Sequence, residues 1–233
     1  MRRKYKSLVA IVGLVLVADQ ATKFFAVDKL TAAFAHANLR TPLARLSGFY
    51  TLKNLDNEPP EPGGVDLRTA PVVIVAGYWH HKYVENPGAA WGLLSRVSDS
   101  WRVPFFHVVS VLAIFIIVAF YRRLEADQGL MAFALSLVLG GALGNYADRL
   151  ARGYVIDFID WHWRNRPDMH WPTFNVADSA ICVGVFFMLV ETIFTHRPPA
   201  AEPVPGGGAA APTPPNPDSL APPTPPSGGA PKT

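Results

Sequence analysis

Apolar positions along the chain gather into four blocks instead of spreading with the periodicity of a soluble core. They cover about residues 7–27, 103–121, 130–146 and 176–194. Within 103–121 only His107 and Ser110 are polar. At roughly 1.5 Å rise per residue, each block crosses most of a hydrocarbon core about 30 Å thick. The last two are short, so their polar ends should lie at or just inside an interface. The segment between the first two blocks, 28–102, alternates and branches differently. The runs 48–55, 72–75 and 78–84 are rich in β-branched and aromatic residues and predict strands. Residues 57–64, with three prolines and two glycines, predict a loop. The expected fold is an α-helical integral membrane protein, with four transmembrane helices and a small extracytoplasmic β-rich domain. Trp79, Trp91 and Trp101 suit either the headgroup level or an aromatic core.

Charge sets the orientation. Arg2, Arg3, Lys4 and Lys6 precede block one, Arg122 and Arg123 lie between blocks two and three, and Arg197 follows block four. Four spans put all of these on one side, which the positive-inside rule makes cytoplasmic. Arg149, Arg152, Arg164 and Arg166 favour the opposite orientation, but they neighbour a polar cluster that gives them another role. A basic start before an apolar run also fits a cleavable signal peptide. No small-x-small site follows it, however, and apolar residues resume after Lys23. Residues 1–6 are then a cytoplasmic N-terminus. Residues 197–233 form a proline-rich cytoplasmic tail with too little apolar content for a core, predicted to be disordered.

Composition removes several classes of function. The net charge of +3 is modest, and the bases form no stripe with interleaved aromatics, so nucleic-acid binding has no support. The single cysteine, Cys182, makes no internal disulfide and reads as a small packing residue inside block four. His80 and His81 are adjacent, and neighbouring side chains converge poorly on a metal. His-Glu-x-x-His and Gly-x-Ser-x-Gly motifs are absent from the sequence.

The ionisable groups in or beside spans are expensive and therefore informative. Asp19 and Lys23 are spaced i, i+4 and pair on one helix face, as structural neutralisation or as chemistry. Asn145, Asp148 and Arg149 follow Gly140 and Gly144, a small-xxx-small face that permits close helix approach. Asp148 and Arg149 fit an interfacial ion pair; Arg149 equally fits a clamp for a carboxylate or carbonyl. Asp157 lies in a short connection among Val155, Ile156, Phe158 and Ile159, where desolvation would raise its pKa. The alternative is an open loop with Asp157 and Asp160 both in water. Asn175 fits an N-cap and Asp178 the third helical residue, as in a capping box. Asp157 and Asp178 thus flank one outer-face site. Two close carboxylates share a proton, one acting as base on water while the other polarises a carbonyl.

Five pieces together carry a resemblance: Asp19-Gln-Ala-Thr-Lys23, Asn86-Pro-Gly-Ala-Ala-Trp-Gly92, the run from Gly140 to Arg149, Val155-Ile-Asp-Phe158 and Phe174-Asn-Val-Ala-Asp178. In this order, with four spans, the chain resembles the lipoprotein signal peptidase (signal peptidase II) family over about residues 8–194. The resemblance implies a membrane peptidase domain over 7–196. It implies an aspartic endopeptidase that cuts diacylglyceryl-modified prolipoproteins just before the lipidated cysteine. It implies Asp157 and Asp178 as the catalytic pair, with Asn86, Asn145, Asp148, Arg149 and Asn175 lining or bracing the site. It also implies no cofactor or metal, sensitivity to globomycin-type inhibitors, contact with membrane lipids, a monomer, and residence in the bacterial inner membrane with the site near the outer face. The long 44–76 stretch, the aromatic and basic run 161–171 and the tail depart from the family pattern. A transporter with an acidic relay and a noncatalytic scaffold are the competing readings. The first sits poorly with acids gathered at one face, the second with an intact set of polar motifs.

Overall fold

The computed structural model describes residues 2–55, 66–88, 98–166 and 168–194. The 57–64 loop, Trp91, the end of the 86–92 motif and the proline-rich tail lie outside the described residues. Four helices are long and apolar enough to cross a membrane: α1 (Arg2–Leu30), α4 (Asp99–Arg123), α5 (Gly129–Arg152) and α6 (Val176–Phe194). Two short helices, α2 (Ala33–His36) and α3 (Pro42–Thr51), follow α1. The strands β1 (Val72–Val75), β2 (Trp79–Asn86) and β3 (Val155–Trp161) form one antiparallel sheet in that order.

Three segments differ from the sequence expectation. The first is the 48–55 run, read as a strand, the first half of which belongs to α3. Thr41 caps that helix by accepting from Ala44 N at 3.1 Å, and Pro42 occupies its first turn. These start signals outweigh the aromatic, β-like composition that follows. The second is α5, which continues past the apolar block, through Asn145, Asp148 and Arg149, to Arg152. It stops at Gly153, whose φ of +87° is the left-handed cap geometry and whose N–H donates to Arg149 O at 3.0 Å. The third is the connection around Asp157, which is strand β3. It pairs with β2 from Asn86 opposite Val155 to Trp79 opposite Trp161.

The bundle is held by close approaches at small residues. α5 and α6 run antiparallel, with Gly141 against the Ala177 carbonyl and Gly184 against the Ala134 carbonyl. The Gly140/Gly144 face meets α1. A Cβ on Gly140 would stand 2.8 Å from Val15 Cβ, and one on Gly144 2.6 Å from Asp19 Oδ2. α4 is peripheral and turns Val108, Leu112, Phe115 and Phe120 outward, as a lipid-facing helix does. Lys4 Nζ donates to Leu124 O at 2.7 Å, and Tyr121 Oη donates to Lys4 O at 2.9 Å. Lys4 in the first turn of α1 and the bases at the end of α4 therefore share one end of the bundle.

At the other end, an apolar core joins α1, α2 and α3 to the sheet. Val27, Leu30, Phe34, Phe49, Leu55, Tyr83, Ile156 and Phe158 are buried in it. Phe24 packs on both Phe34 and Phe49, with centroids 5.5 and 5.6 Å apart. This core fixes β3 against α1 and so sets where Asp157 lies. Trp101 is exposed on α4, whereas Trp79 is half-buried edge-on to Trp161.

Candidate active site

Lys23 is the hub of the polar interior. Its ammonium has three N–H donors and three acceptors within reach. They are Asp19 Oδ2 at 2.8 Å, Asp148 Oδ2 at 2.8 Å and Asn145 Oδ1 at 3.0 Å. Lys23, Asp19 and Asp148 are fully buried. Arg152, which the sequence reading did not single out, completes the charge balance. It gives Nη1 to Asp148 Oδ1 at 2.7 Å, and Nε and Nη2 to Phe49 O at 3.1 and 2.7 Å. Two acids and two bases thus close on one another. The ion-pair reading of Asp148 with Arg149 is replaced, because one helical turn brings Arg152, not Arg149, onto the Asp148 face.

This cluster holds its neighbours in place. Asp19 Oδ1 accepts from Ala177 N at 3.0 Å, at the start of α6. Asp148 Oδ2 accepts from Ile156 N at 3.2 Å, beside Asp157 in β3. Gln20, also missed from sequence, donates to Asp19 Oδ2 and Asp148 Oδ1 at 3.1 and 3.2 Å.

From Lys23 the network passes through two amides to two further acids. Asn145 accepts from Lys23 and donates to Asp178 Oδ1 at 2.8 Å. Asn175 donates through Nδ2 to Asn145 Oδ1 at 3.1 Å and to Asp157 Oδ1 at 2.7 Å. Asn175 and Asp178 also form the reciprocal capping box: Asp178 N donates to Asn175 Oδ1 at 3.0 Å, and Asn175 N to Asp178 Oδ2 at 3.1 Å. Asn86, at the end of β2, donates to Asp157 Oδ2 at 2.9 Å. Both Asp157 oxygens are therefore held by side-chain amides, and among the described residues no base makes an ion pair with either.

Asp157 is 1% exposed and Asp160 3%, which removes the reading of both as solvent-facing. Burial, and then the nearby charge of Asp178, push the Asp157 carboxyl up from 3.8 to about 7. The hydrogen bonds from Asn86 and Asn175 and the charge of Lys23 pull the other way without prevailing.

A cavity of about 280 Å³ opens over the pair. Asn86, Asn145, Arg149, Asp157 and Asp178 form its polar wall, and Trp171, Phe174 and Ile181 its apolar one. Arg149 lies over the Phe106 ring, 5.2 Å from its centroid, and makes no ion pair among the described residues. Cys182 also lines this cavity and is exposed. The expectation of a packing cysteine remote from the acids is corrected: one helical turn from Asp178 puts it on the same face of α6. A larger groove of about 850 Å³ lies between Lys4, Tyr121 and Glu125 at the opposite end of the bundle, and brings no pair of acids together.

His80 and His81 diverge as adjacent strand residues do. His80 meets the His162 ring, and His81 packs on Trp79 and Phe158.

Four spans with two amide-bridged acids at one end define a polytopic membrane protein. The sequence pattern that defines signal peptidase II (Peptidase_A8) matches residues 11–194, and the chain belongs to that family. It is accordingly a peptidase and a bacterial membrane protein. It is 47% identical over 186 residues to the lipoprotein signal peptidase of Anaeromyxobacter sp. (strain Fw109-5), covering 79% of this chain and 84% of the relative. The Geobacter sulfurreducens lipoprotein signal peptidase is 46% identical over 126 residues, covering 54% and 76%. Two solved bacterial membrane enzymes share the fold. One superposes with a TM-score of 0.54 at 22% identity, over 81% of this chain and 88% of that one. The other gives 0.55 at 20% identity, over 82% and 95%.

Proposed function

We propose that this chain is an aspartic endopeptidase. It removes signal peptides from diacylglyceryl-modified prolipoproteins, cutting just before the lipidated cysteine. The observation that carries the reading is the pair Asp157 and Asp178, joined by Asn145 and Asn175 under one cavity and lacking a direct basic partner.

Asp157, buried in the strand, holds the shared proton and donates it toward the scissile carbonyl. Asp178 sits at a helix N-terminus, where backbone dipoles favour negative charge. It takes a proton from the attacking water. The tetrahedral intermediate collapses as the proton now on Asp178 passes to the leaving amine, and Asp157 recovers its own. Asn86, Asn145 and Asn175 keep both carboxylates in register through each transfer. Arg149, free of an ion pair among the described residues, is placed to hold a substrate carbonyl.

The substrate's acyl chains lie in the bilayer, so the scissile bond must approach from the side. The cavity's apolar wall, with Ile181 and Cys182 on the outer turns of α6, suits that approach. Lys4, Arg122 and Arg123 at the opposite end of the bundle support a cytoplasmic position for that end by the positive-inside rule. On this reading both termini lie inside and the acids lie near the outer face of the inner membrane. The chain works as a monomer, and globomycin-type peptides occupy the same cavity.

The test is cleavage by the purified chain of a prolipoprotein with and without its diacylglyceryl group, the product mapped by mass spectrometry. The expected result is a single cut before the lipidated cysteine, lost with the unmodified substrate and blocked by globomycin. A folded enzyme that cuts both substrates alike, or neither, overturns the proposal.

A further inference from the structure

β3 carries a second buried aspartate three residues beyond Asp157. Side chains alternate across a strand, so this odd offset turns Asp160 to the opposite face. There it meets imidazoles. His80 is its direct cross-strand partner in β2, and the bridge between His162 and His170 brings in two more rings. The His80 and His162 centroids are 4.3 Å apart, and those of His162 and His170 are 4.8 Å apart and stacked. One ligand atom each of His80, Asp160 and His162 falls within 4.8 Å of the others.

The two Asp160 oxygens have different surroundings. Oδ1 is 3.1 Å from Lys82 Nζ and 3.3 Å from His170 Nδ1. Oδ2 faces His162 Nδ1 at 3.4 Å, outside hydrogen-bonding geometry. The His162 side chain is 1% exposed, and neither of its ring nitrogens has a hydrogen-bond partner. Ring stacking accounts for the apolar body of that imidazole and leaves its nitrogens desolvated without return. An acceptor of lone pairs placed between His80, His162 and Asp160 Oδ2 would satisfy one of them.

We propose that His80, Asp160 and His162 bind a divalent transition-metal ion of the zinc type. Two imidazoles and a carboxylate match the donor preference of such ions, and the fourth position falls to water. Magnesium and calcium, which require a shell of oxygens, do not suit this set. The half-buried His80 provides the entry side. The ion would tie β2 to β3 behind Asp157 and steady the 163–171 segment that leads to Trp171 in the cavity wall. The Lys82 ammonium, on the same carboxylate, opposes it and holds the affinity down.

The experiment is a Zn²⁺ titration of the tag-free, chelator-treated full chain in detergent, read by calorimetry and melting temperature, with Co²⁺ spectra reporting ligand geometry. The expected result is one equivalent bound with a raised Tm. Affinity should fall at least tenfold in His80→Ala and in His162→Gln, stay unchanged in His36→Ala, and tighten in Lys82→Gln. His80→Ala lies at the rim, so its folding does not confound the result. Absence of binding by wild type, or equal binding in wild type and His80→Ala, overturns the assignment. No substrate is present, so the outcome is separate from that of the peptidase test.

Discussion

Two buried groups of acids lie side by side in this molecule, and they are built on opposite terms. Asp19 and Asp148 are paired by Lys23 and Arg152, each of which donates directly to a carboxylate oxygen. Asp157 and Asp178 receive amide donors and each other's field. The first group is neutral and closed, so its free energy goes into holding α1, α5, α6 and β3 together. The second carries an uncompensated charge, and a proton on one acid is the cheap remedy. A compensated cluster resists change, whereas an uncompensated one moves a proton. Lys23 belongs to the first and is linked to the second by hydrogen bonds through Asn145; its charge lowers the Asp157 pKa without prevailing over burial.

Removing one acid from the second group should have the largest effect and little structural penalty. Asp157→Asn and Asp178→Asn each lower turnover about 10²–10⁴-fold, the range of general acid–base contributions. Both variants should still fold, with Asp178→Asn melting below wild type because its amide turns an N–H toward a donor from which the carboxylate accepts. Steady-state cleavage beside thermal melts checks both halves. The compensated group behaves the other way. Lys23→Met leaves two buried carboxylates against one guanidinium and destabilises by about 3–5 kcal/mol. The readout is loss of folded protein in detergent before any separate effect on catalysis.

A smaller effect is expected at Gly144. A methyl there meets Asp19 Oδ2 at 2.6 Å, so Gly144→Ala displaces the paired cluster and costs about 1–3 kcal/mol. Its melting temperature drops while the pH optimum stays in place.

A further effect is a pH dependence of stability that belongs to Asp157. Its folded value, about 7, lies above the ordinary 3.8. Between those values the folded chain holds a proton that the unfolded chain has lost. Its contribution therefore falls as pH rises across that window and levels off above it. Melting curves from pH 4 to 8 should slope downward in wild type and flatten in Asp157→Asn.

The sequence already displayed much of this contrast. Length and hydropathy located four spans, and i, i+4 spacing paired Asp19 with Lys23. The Asn175–Asp178 spacing announced a capping box, because these features are local. What escaped depends on distant partners. Asp157 and Asp160 interrupt an apolar run that reads as a loop until β2, some seventy residues earlier, supplies the ladder. α3 hid behind aromatic residues although Thr41 and Pro42 signalled its start. Arg152 looked like a topology charge because the Phe49 carbonyl that it meets comes from α3. The convergence of His80 with His162 needs the sheet register, which no adjacent-pair argument contains.

The most direct test of the central claim is single-turnover cleavage by the Asp157→Asn, Asp178→Asn and doubly substituted enzymes. Groups that act as a unit are not additive. A double variant no slower than the worse single variant, with all three folded, is the result this account predicts. A double variant slowed by the product of the two single effects, or a single variant with wild-type turnover, would contradict it.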